Sequence, residues 1–587
     1  MRRRRALLFV AGSLLLLGTA LVACGGTLWA FTGMDQSRFT SMAMLTGTLR
    51  LRGDVSHVAS DEQLYNGATY TNWGFGVPLL ELPFHAASRR LEAFAAGFFP
   101  DRTIFFLYLA SLLPVLWLSL DRLLAGRHPG SGWIRRGACS LAASCLVLTY
   151  TLYPLMAYRF IVYEETLSYL VVAELFALCA YIHTLRSERL LPVCALAVAA
   201  GFGLLIRATG LVYLGVWCGL VVLGRRPRPR LAAFAVVLLP FVAFWLYSNA
   251  VKSGSPLSFG YANSLPGTAT YYSMVRFGSQ CADTLGHAGE VASFLARAFF
   301  VGAPEGPPTP HLTACHFPLE LQEPGHAPYA TDAFFGLAVP IALLGILVRY
   351  VVMRERRVAL YLPYAALLFL FLNYVHAGIG FTWRYAFDFW PLVVLVVVQF
   401  VESASPSVRR HAFGWPTTLA FGALAAMGFS RHVLPERTTI ATIRPGSPEE
   451  LAMGERFRTA RWGGGRVYAS RLACTDTFPW TFGGALGWSS SGAVDTFTNV
   501  YLGVPPNTDG RYELRLHTRG FDVPTLRVLV NGRYSTAYLR RGAEDTYVAV
   551  VDIDYRALTT PTVMATVEWT PGLGAVPGGM LLSIELA

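Results

Sequence analysis

Apolar runs of about 17 to 25 residues recur along the first 430 positions, each closed by a short charged stretch, and that length is what an α-helix needs to cross the hydrocarbon core of a bilayer. The runs begin near residues 6, 103, 138, 166, 190, 210, 231, 334, 358, 386 and 415 and predict about eleven transmembrane helices. Two intervening stretches, 32–102 and 250–333, are too long to be simple connectors. Beyond about residue 443 the period changes from helical to alternating. R-Y-E-L-R-L-H, T-L-R-V-L-V, Y-V-A-V-V-D-I, V-M-A-T-V-E-W and L-L-S-I-E-L read as strands, with Asn531-Gly532 as a hairpin turn. The predicted fold is therefore a polytopic α-helical membrane domain over 1–430, followed by an extracytoplasmic antiparallel β-sandwich of jelly-roll kind over 431–587.

Charge sets the orientation. Arg2, Arg3, Arg4 and Arg5 precede the first run, and arginines are retained on the cytoplasmic face. Every second connection is then basic: Arg122, Arg127, Arg135 and Arg136; Arg186 and Arg189; Arg225, Arg226, Arg228 and Arg230; Arg349, Arg354, Arg356 and Arg357; Arg409 and Arg410. The N-terminus is placed in the cytoplasm, and an odd number of spans puts the β-domain outside with the two long loops. Leu21-Val22-Ala23-Cys24 matches a lipoprotein cleavage box, but the apolar run continues through Trp29 to Phe31. That exceeds a signal-peptide core, so an uncleaved first helix is preferred.

Composition agrees with a membrane protein: 54% of the 587 residues are hydrophobic and 14% charged, where a soluble protein carries about 25% charge. The formal charge of +12 comes from arginines in short loops rather than on one soluble face, which excludes a nucleic-acid partner. Lys252 is the only lysine, an imbalance read as nucleotide bias of a GC-rich genome.

Candidate chemistry gathers on the outer side. Asp35 follows the first run in F-T-G-M-D-Q-S-R-F. The loop after it carries Asp54, Asp61, Glu62 and then Y-N-G-A-T-Y-T-N-W-G-F-G-V-P-L-L-E-L-P-F-H, where Tyr70, Trp73 and Phe75 among glycines and prolines suggest a re-entrant or interfacial segment. An aromatic belt at the headgroups is the plainer reading. Arg159 through Glu164 and Glu165 fill a short outer loop, Arg207-Ala208-Thr209-Gly210 an outer turn, Phe259-Gly260-Tyr261 follows the seventh run, and Arg384-Tyr385 opens the tenth.

An acidic residue just after the first span, followed by Phe75-Gly76-Val77-Pro78-Leu79-Leu80 and Pro83-Phe84, resembles the lipid-linked-sugar glycosyltransferases of the GT-C superfamily over roughly residues 1–430. Many members write the second element as K-Y-P-P-G-x-P-L-L. This chain has Asn72-Trp73-Gly74-Phe75-Gly76 there and no lysine. The resemblance implies a bacterial inner-membrane enzyme whose partners are the membrane, a polyprenyl-phosphate sugar donor and a glycan, lipid or protein acceptor of the envelope. Some members also carry a carbohydrate-binding β-domain.

Such a reaction needs a carboxylate to take the acceptor's proton and cations for the leaving phosphate. Asp35 fits the base. Arg384, Arg207 and Arg159 fit the phosphate, because arginine forks onto its oxygens; Glu164, Glu165, Tyr70, Trp73 and Tyr385 are supporting or substrate-binding candidates. No cofactor is implied with certainty. Asp35-Gln36-Ser37 is not an Asp-x-Asp pair, and Glu164 with Glu165 is the adjacent acidic pair, so a divalent cation on oxygen ligands stays open.

Plainer readings stand beside these. An arginine at a span end snorkels to lipid phosphate, Arg384 has Asp388 one turn on, Glu164 and Glu165 suit a solvated turn, and Asp35 suits a helix cap. Glu174, mid-span in V-V-A-E-L-F-A, is costly unless satisfied and points to a proton-coupled transporter as the rival; a non-catalytic envelope scaffold is the third reading. Cys281 and Cys315 share an outer loop and are candidates for a disulfide. His311, His316 and His326 are too loosely spaced for a metal site. Trp462, Trp480, Trp488 and Tyr501 suit sugar stacking or the β-domain core.

Overall fold

A computed structural model of the chain describes residues 2–25, 28–32, 36–51, 62–65, 68–71, 73–125, 133–157, 160, 162–224, 227–257, 339–352, 354, 357–376, 387–403, 414–434, 442–459, 470–473, 485–488, 492, 494–505, 510–520, 525–530, 533–541, 546–553, 562–568 and 580–587. The helices are α1 (Arg2–Ala23), α2 (Gln36–Leu45), α3 (Gly76–Leu91), α4 (Asp101–Ala125), α5 (Trp133–Thr151), α6 (Tyr153–Ala157), α7 (Val162–Arg186), α8 (Leu191–Ile206), α9 (Gly210–Val222), α10 (Pro227–Ser253), α11 (Val339–Leu347), α12 (Leu362–His376), α13 (Trp390–Ser403), α14 (Trp415–Gly428) and α15 (Pro448–Thr459). α11 and α14 run on into π-helical turns, Val348–Val352 and Phe429–Val433.

Among the described residues, three helical stretches, Asp101–Ala125, Glu164–Arg186 and Arg228–Ser253, are long and apolar enough to cross a bilayer. Five shorter apolar helices lie beside them, Phe9–Ala23, Leu191–Ile206, Gly210–Val222, Pro340–Val351 and Trp390–Ser403. The most apolar part of α7 is 83% buried inside the protein and that of α10 only 17%, so α7 is the centre of the bundle and α10 lies at its rim. α7 packs on α8 and α4, α8 on α9 and α10, and α14 on α5. The first helix belongs to this core: Leu16, Ala20, Ala23 and Cys24 are all buried.

The first long loop is built rather than trailing. α2 packs on α3, with the hairpin β2 (Glu62–Tyr65) and β3 (Ala68–Thr71) between them in sequence. Two glycines of the W-G-F-G run explain its composition. A Cβ on Gly74 would stand 1.9 Å from the Leu205 carbonyl oxygen, and one on Gly76 2.7 Å from the Ile206 nitrogen. Only a bare backbone fits against the end of α8 at these positions.

The chain after the bundle returns to this loop. β4 (Thr442–Ile443) pairs with β1 (Phe31–Thr32), Glu450 accepts from the Ala96 amide at 3.1 Å, and Met453 joins Phe31, Phe39, Met42 and Phe98 in one small core.

The C-terminal strands are β5 (Arg471–Ala473), β6 (Ala485–Trp488), β7 (Val494–Gly503), β8 (Arg511–Arg519), β9 (Thr525–Val530), β10 (Arg533–Arg541), β11 (Thr546–Asp552), β12 (Thr562–Glu568) and β13 (Met580–Leu586). They form one antiparallel sheet in the order β5-β13-β8-β11-β10-β9-β12-β7-β6. The expected sandwich is thus a single ladder that curls: the Leu581 amide of β13 donates to the Gly492 carbonyl beside β7 at 2.8 Å. Alternation along β8 places Tyr512, Leu514 and Leu516 inward, with Val500, Val528 and Ile584.

Candidate active site

Charged side chains separate to the two ends of the bundle. The far end of α4 carries Asp121, paired with Arg136 of α5 at 2.8 Å, and the end of α7 carries Arg186, paired with Glu402 of α13 at 2.6 Å. At the opposite end, Asp101 opens α4, Glu165 opens α7, Arg207 closes α8 and Asp388 precedes α13. The first long loop covers that second end.

Beneath the loop lies a sealed polar cluster. The Arg38 guanidinium of α2 donates to Asp101 at 2.9 Å and to the Thr32 carbonyl at 2.8 Å, with both side chains of the ion pair 1% exposed. Asp101 also accepts from the Thr32 amide at 3.0 Å and from the Thr32 hydroxyl. Glu81 and His85 stand four residues apart on α3 and are both fully buried. The Phe99 amide donates to Nδ1 of His85 at 3.1 Å, so the ring proton sits on Nε2, which faces Glu81 at 3.6 Å.

Burial, and then the Arg38 charge, lower the His85 pKa from 6.5 to about 3, so the ring is neutral and its contact with Glu81 is not an ion pair. Burial and then the Asp101 charge raise Glu81 well above the usual carboxylate range, against the pull of Arg38. Glu165, 4% exposed, accepts from the Ser37 hydroxyl at 2.8 Å.

Next to this cluster a cleft opens between the W-G-F run, the α8–α9 turn and the end of α10, lined by Trp73, Gly74, Phe75, Leu204, Leu205, Arg207, Ala208, Trp245, Ser248, Asn249 and Lys252. Arg207 leaves α8 in extended backbone and places its guanidinium 5.4 Å from the centre of the Trp73 ring. It also reaches Asp388 at 3.4 Å, a carboxylate that accepts from the Thr209 hydroxyl at 3.1 Å. Lys252 sits 5.4 Å from the centre of the Phe75 ring and 3.4 Å from the Trp73 carbonyl oxygen.

Several candidates from the sequence are brought together here. Arg207 and Trp73 meet directly, and Glu165 lies against Ser37, two residues past Asp35. Glu164 and Glu165 are buried, which corrects their reading as a solvated turn: the first turn of the central helix has no water-facing side there. Tyr70 is buried in the β2–β3 hairpin. Asp388 forms an ion pair with Arg207. Asp35, Arg159, Arg384, Tyr385, Cys281, Cys315, the three loop histidines, Trp462 and Trp480 lie outside the described residues. Trp488 ends β6 and Tyr501 lies in β7.

Arg38, Glu81, His85, Asp101 and Lys252 were not foreseen. The pair Glu81 and His85 carried a signal, since polar groups at i and i+4 on an apolar helix face share one side. Among the described residues, no three His, Cys, Asp or Glu side chains are arranged to hold a metal ion.

No protein-family model and no curated protein matches the chain. Among solved structures it is similar to the oligosaccharyltransferase AglB of Archaeoglobus fulgidus, in complex with an inhibitory peptide and a dolichol-phosphate, at 12% identity and TM-score 0.38 over 77% of this chain and 60% of that one. A second structure of an oligosaccharyltransferase from that organism, with Zn and sulfate, gives 14% and 0.33 over 71% and 53%. The arabinosyltransferase EmbB of Mycobacterium smegmatis gives 10% and 0.33 over 98% and 64%. The chain thus spans between about half and two thirds of the length of these structures.

Proposed function

We propose that the chain is an integral-membrane glycosyltransferase of GT-C type, moving a sugar from a polyprenyl-phosphate donor to an acceptor of the bacterial envelope on the extracytoplasmic face. The observation that carries this reading is the convergence, at one end of the bundle, of the segment flanking Asp35 with buried acids and with an aromatic cleft holding Arg207. Thr32 is tied to Asp101 and Ser37 to Glu165, so the chain on both sides of Asp35 is anchored to the starts of α4 and α7.

In this reading the Asp35 carboxylate takes the proton of the acceptor hydroxyl as its oxygen attacks the anomeric carbon. The bond from that carbon to the phosphate oxygen breaks, and the electron pair stays on the phosphate. Arg207, with Arg159 and Arg384, offsets that charge. Trp73 and Tyr385 bind sugar faces, Tyr70 and Glu164 support the loop, and Glu165 orients the Ser37 end of the Asp35 segment. The arginines at the opposite end lie in the cytoplasm, and the β-domain is an outer, carbohydrate-binding appendage.

A transporter built on Glu174 is less favoured. The Trp217 ring nitrogen donates to Glu174 at 2.8 Å, and a Cβ on Gly203 would stand 2.4 Å from its other oxygen, so the carboxyl is closed in by packing rather than set beside a channel.

Asp35→Asn tests the assignment. The amide keeps the shape and caps a helix as well as the acid does, but it cannot take a proton. Transfer from a polyprenyl-phosphate sugar, followed in liposomes, is expected to fall by a factor of about 100 or more, with expression and melting unchanged. Full retained transfer rejects the base.

A further inference from the structure

Helix α11 and the π-helical turn that ends it lie at the rim of the bundle, with Leu343, Leu344, Leu347, Tyr350 and Val351 exposed on the outer side. Among the described positions of the helix and turn, Gly345 and Arg349 are the buried ones. They stand four residues apart and share one face. A Cβ on Gly345 would stand 2.6 Å from the Tyr364 hydroxyl of α12 and 2.9 Å from the Phe400 ring of α13, so this face is pressed against both helices. Arg349 enters the same place one turn later. Its guanidinium carbon lies 4.1 Å from the centre of the Phe400 ring.

Its charge is not met there. Among the described residues no carboxylate forms an ion pair with Arg349, and Nε, Nη1 and Nη2 all lack a hydrogen-bond partner although the side chain is fully buried. The Tyr364 hydroxyl stands close to it with no hydrogen bond formed. Glu402, two residues past Phe400 on α13, is held by Arg186 at 2.6 Å. A buried carboxyl escapes such a position by taking a proton, but a guanidinium has no neutral form to fall back on. A charge fixed at that depth needs an anion.

The surroundings select the kind of anion. Phe400 and Glu402 place the turn at the arginine-bearing end of the bundle, opposite the Asp35 segment. The exposed leucines before the turn form an apolar wall, Tyr350 is an aromatic of the kind found at a membrane boundary, and Arg354, two residues past the turn, is exposed. A dissolved ion would meet that wall, whereas a lipid lying along it carries its phosphate to the depth of Arg349.

We propose that the turn Val348–Val352 seats the phosphodiester of a phospholipid from the leaflet opposite the Asp35 side, with Arg349 forking onto its oxygens and the acyl chains along Leu343, Leu344 and Leu347. The backbone suits an opening there. The π-helical turn is a rare, widened geometry that recurs at functional sites, and Arg354 stands at φ 47°, in the left-handed region. The site lies away from the cleft and does not depend on the transferase reading.

The test follows backbone hydrogen exchange of the turn in the full chain, purified in a non-ionic detergent, with phosphatidylglycerol, a diacylglycerol glycoside of the same acyl chains or inorganic phosphate added. At ten times its dissociation constant, phosphatidylglycerol is expected to slow exchange at Val348–Val352 about tenfold, and the other two by less than about twofold. Arg349→Met is expected to lose that protection and Arg354→Met to keep it. The three ligand arms use the unaltered protein, so they decide even if Arg349→Met fails to fold.

Equal protection by the glycoside overturns the phosphate, and equal protection by inorganic phosphate overturns the lipid. No protection by any of the three overturns the site. Protection that survives Arg349→Met, or that Arg354→Met removes equally, overturns Arg349 as the seat.

Discussion

Where Arg38 meets Asp101 under the first long loop, both side chains are 1% exposed; where Arg136 meets Asp121 at the other end of α4, they are 20% and 30% exposed. The two pairs have nearly the same length and very different costs. A pair at a wet surface contributes little either way, whereas taking two charges out of water carries a desolvation penalty that the attraction recovers only with good geometry and further hydrogen bonds. Asp101 has those bonds, from Thr32. The end that buries its charges is the end with the cleft and the Asp35 segment, while the other, Arg349 apart, shows the part-exposed arginine pattern of a membrane–water boundary.

The difference is broken most sharply by Arg38→Met. The substitution leaves Asp101 buried without its cation and is expected to cost about 3–5 kcal/mol, against less than about 1 kcal/mol for Arg136→Met, each read from denaturant or thermal unfolding in detergent. Adding Asp101→Asn to Arg38→Met should recover part of the loss, since the stranded charge is then gone. Equal costs for the two arginine variants would erase the distinction between the ends.

A second effect of the sealed cluster lies in pH. Glu81 has a folded pKa raised above its ordinary 4.5, so folded protein holds a proton that unfolded protein releases, and stability falls as pH rises from 4.5 towards the raised value. His85 acts on the acid side. Its folded pKa of about 3 lies below 6.5, so unfolded protein takes up a proton that folded protein refuses, and stability falls as pH drops below 6.5. Glu81 is faced by Asp101, Arg38, Glu165 and His85, with Tyr108 nearby. Glu81→Gln removes its proton exchange and is expected to flatten only the decline on the alkaline side, in melting temperatures taken across pH. An unchanged profile would show that Glu81 does not hold that proton.

The same contrast explains what could be read in the sequence. Apolar runs report length and burial locally, so the helices lie close to where they were expected, and alternation located the C-terminal strands. Glycine at 74 and 76 hinted at a close approach without naming the partner, the end of α8. The sealed cluster was not legible, because its pairs are remote: Arg38 and Asp101 lie 63 residues apart, and Lys252 and Trp73 179. Lys252 reads in the sequence as nucleotide bias of a GC-rich genome, and only the fold brings it to its neighbours Trp73 and Phe75. Glu165 carried the opposite error. Two acids in a short connection suggest solvent, and only the packing of α7 at the centre of the bundle buries them.

The smallest effect is expected at a buried carboxyl group, Glu174, which belongs to neither end. It lies in the middle of α7, fully buried, with Trp217 donating to one oxygen and the other oxygen facing the backbone of Gly203 without a hydrogen-bond partner. In Glu174→Gln the amide oxygen still accepts from Trp217 and the volume is unchanged, so stability should move by no more than about 1 kcal/mol and sugar transfer should be unaffected. Glu174→Leu leaves the Trp217 N–H unpartnered and should cost about 1–3 kcal/mol. If Glu174 were the proton carrier of a transporter, the order would invert: the glutamine variant, well folded, would lose proton-driven uptake. Both variants reconstituted in liposomes, with a polyprenyl-phosphate sugar supplied and internal pH recorded beside transfer, decide between these. Proton flux that Glu174→Gln abolishes, in a protein showing no transfer, would replace the enzyme with the transporter.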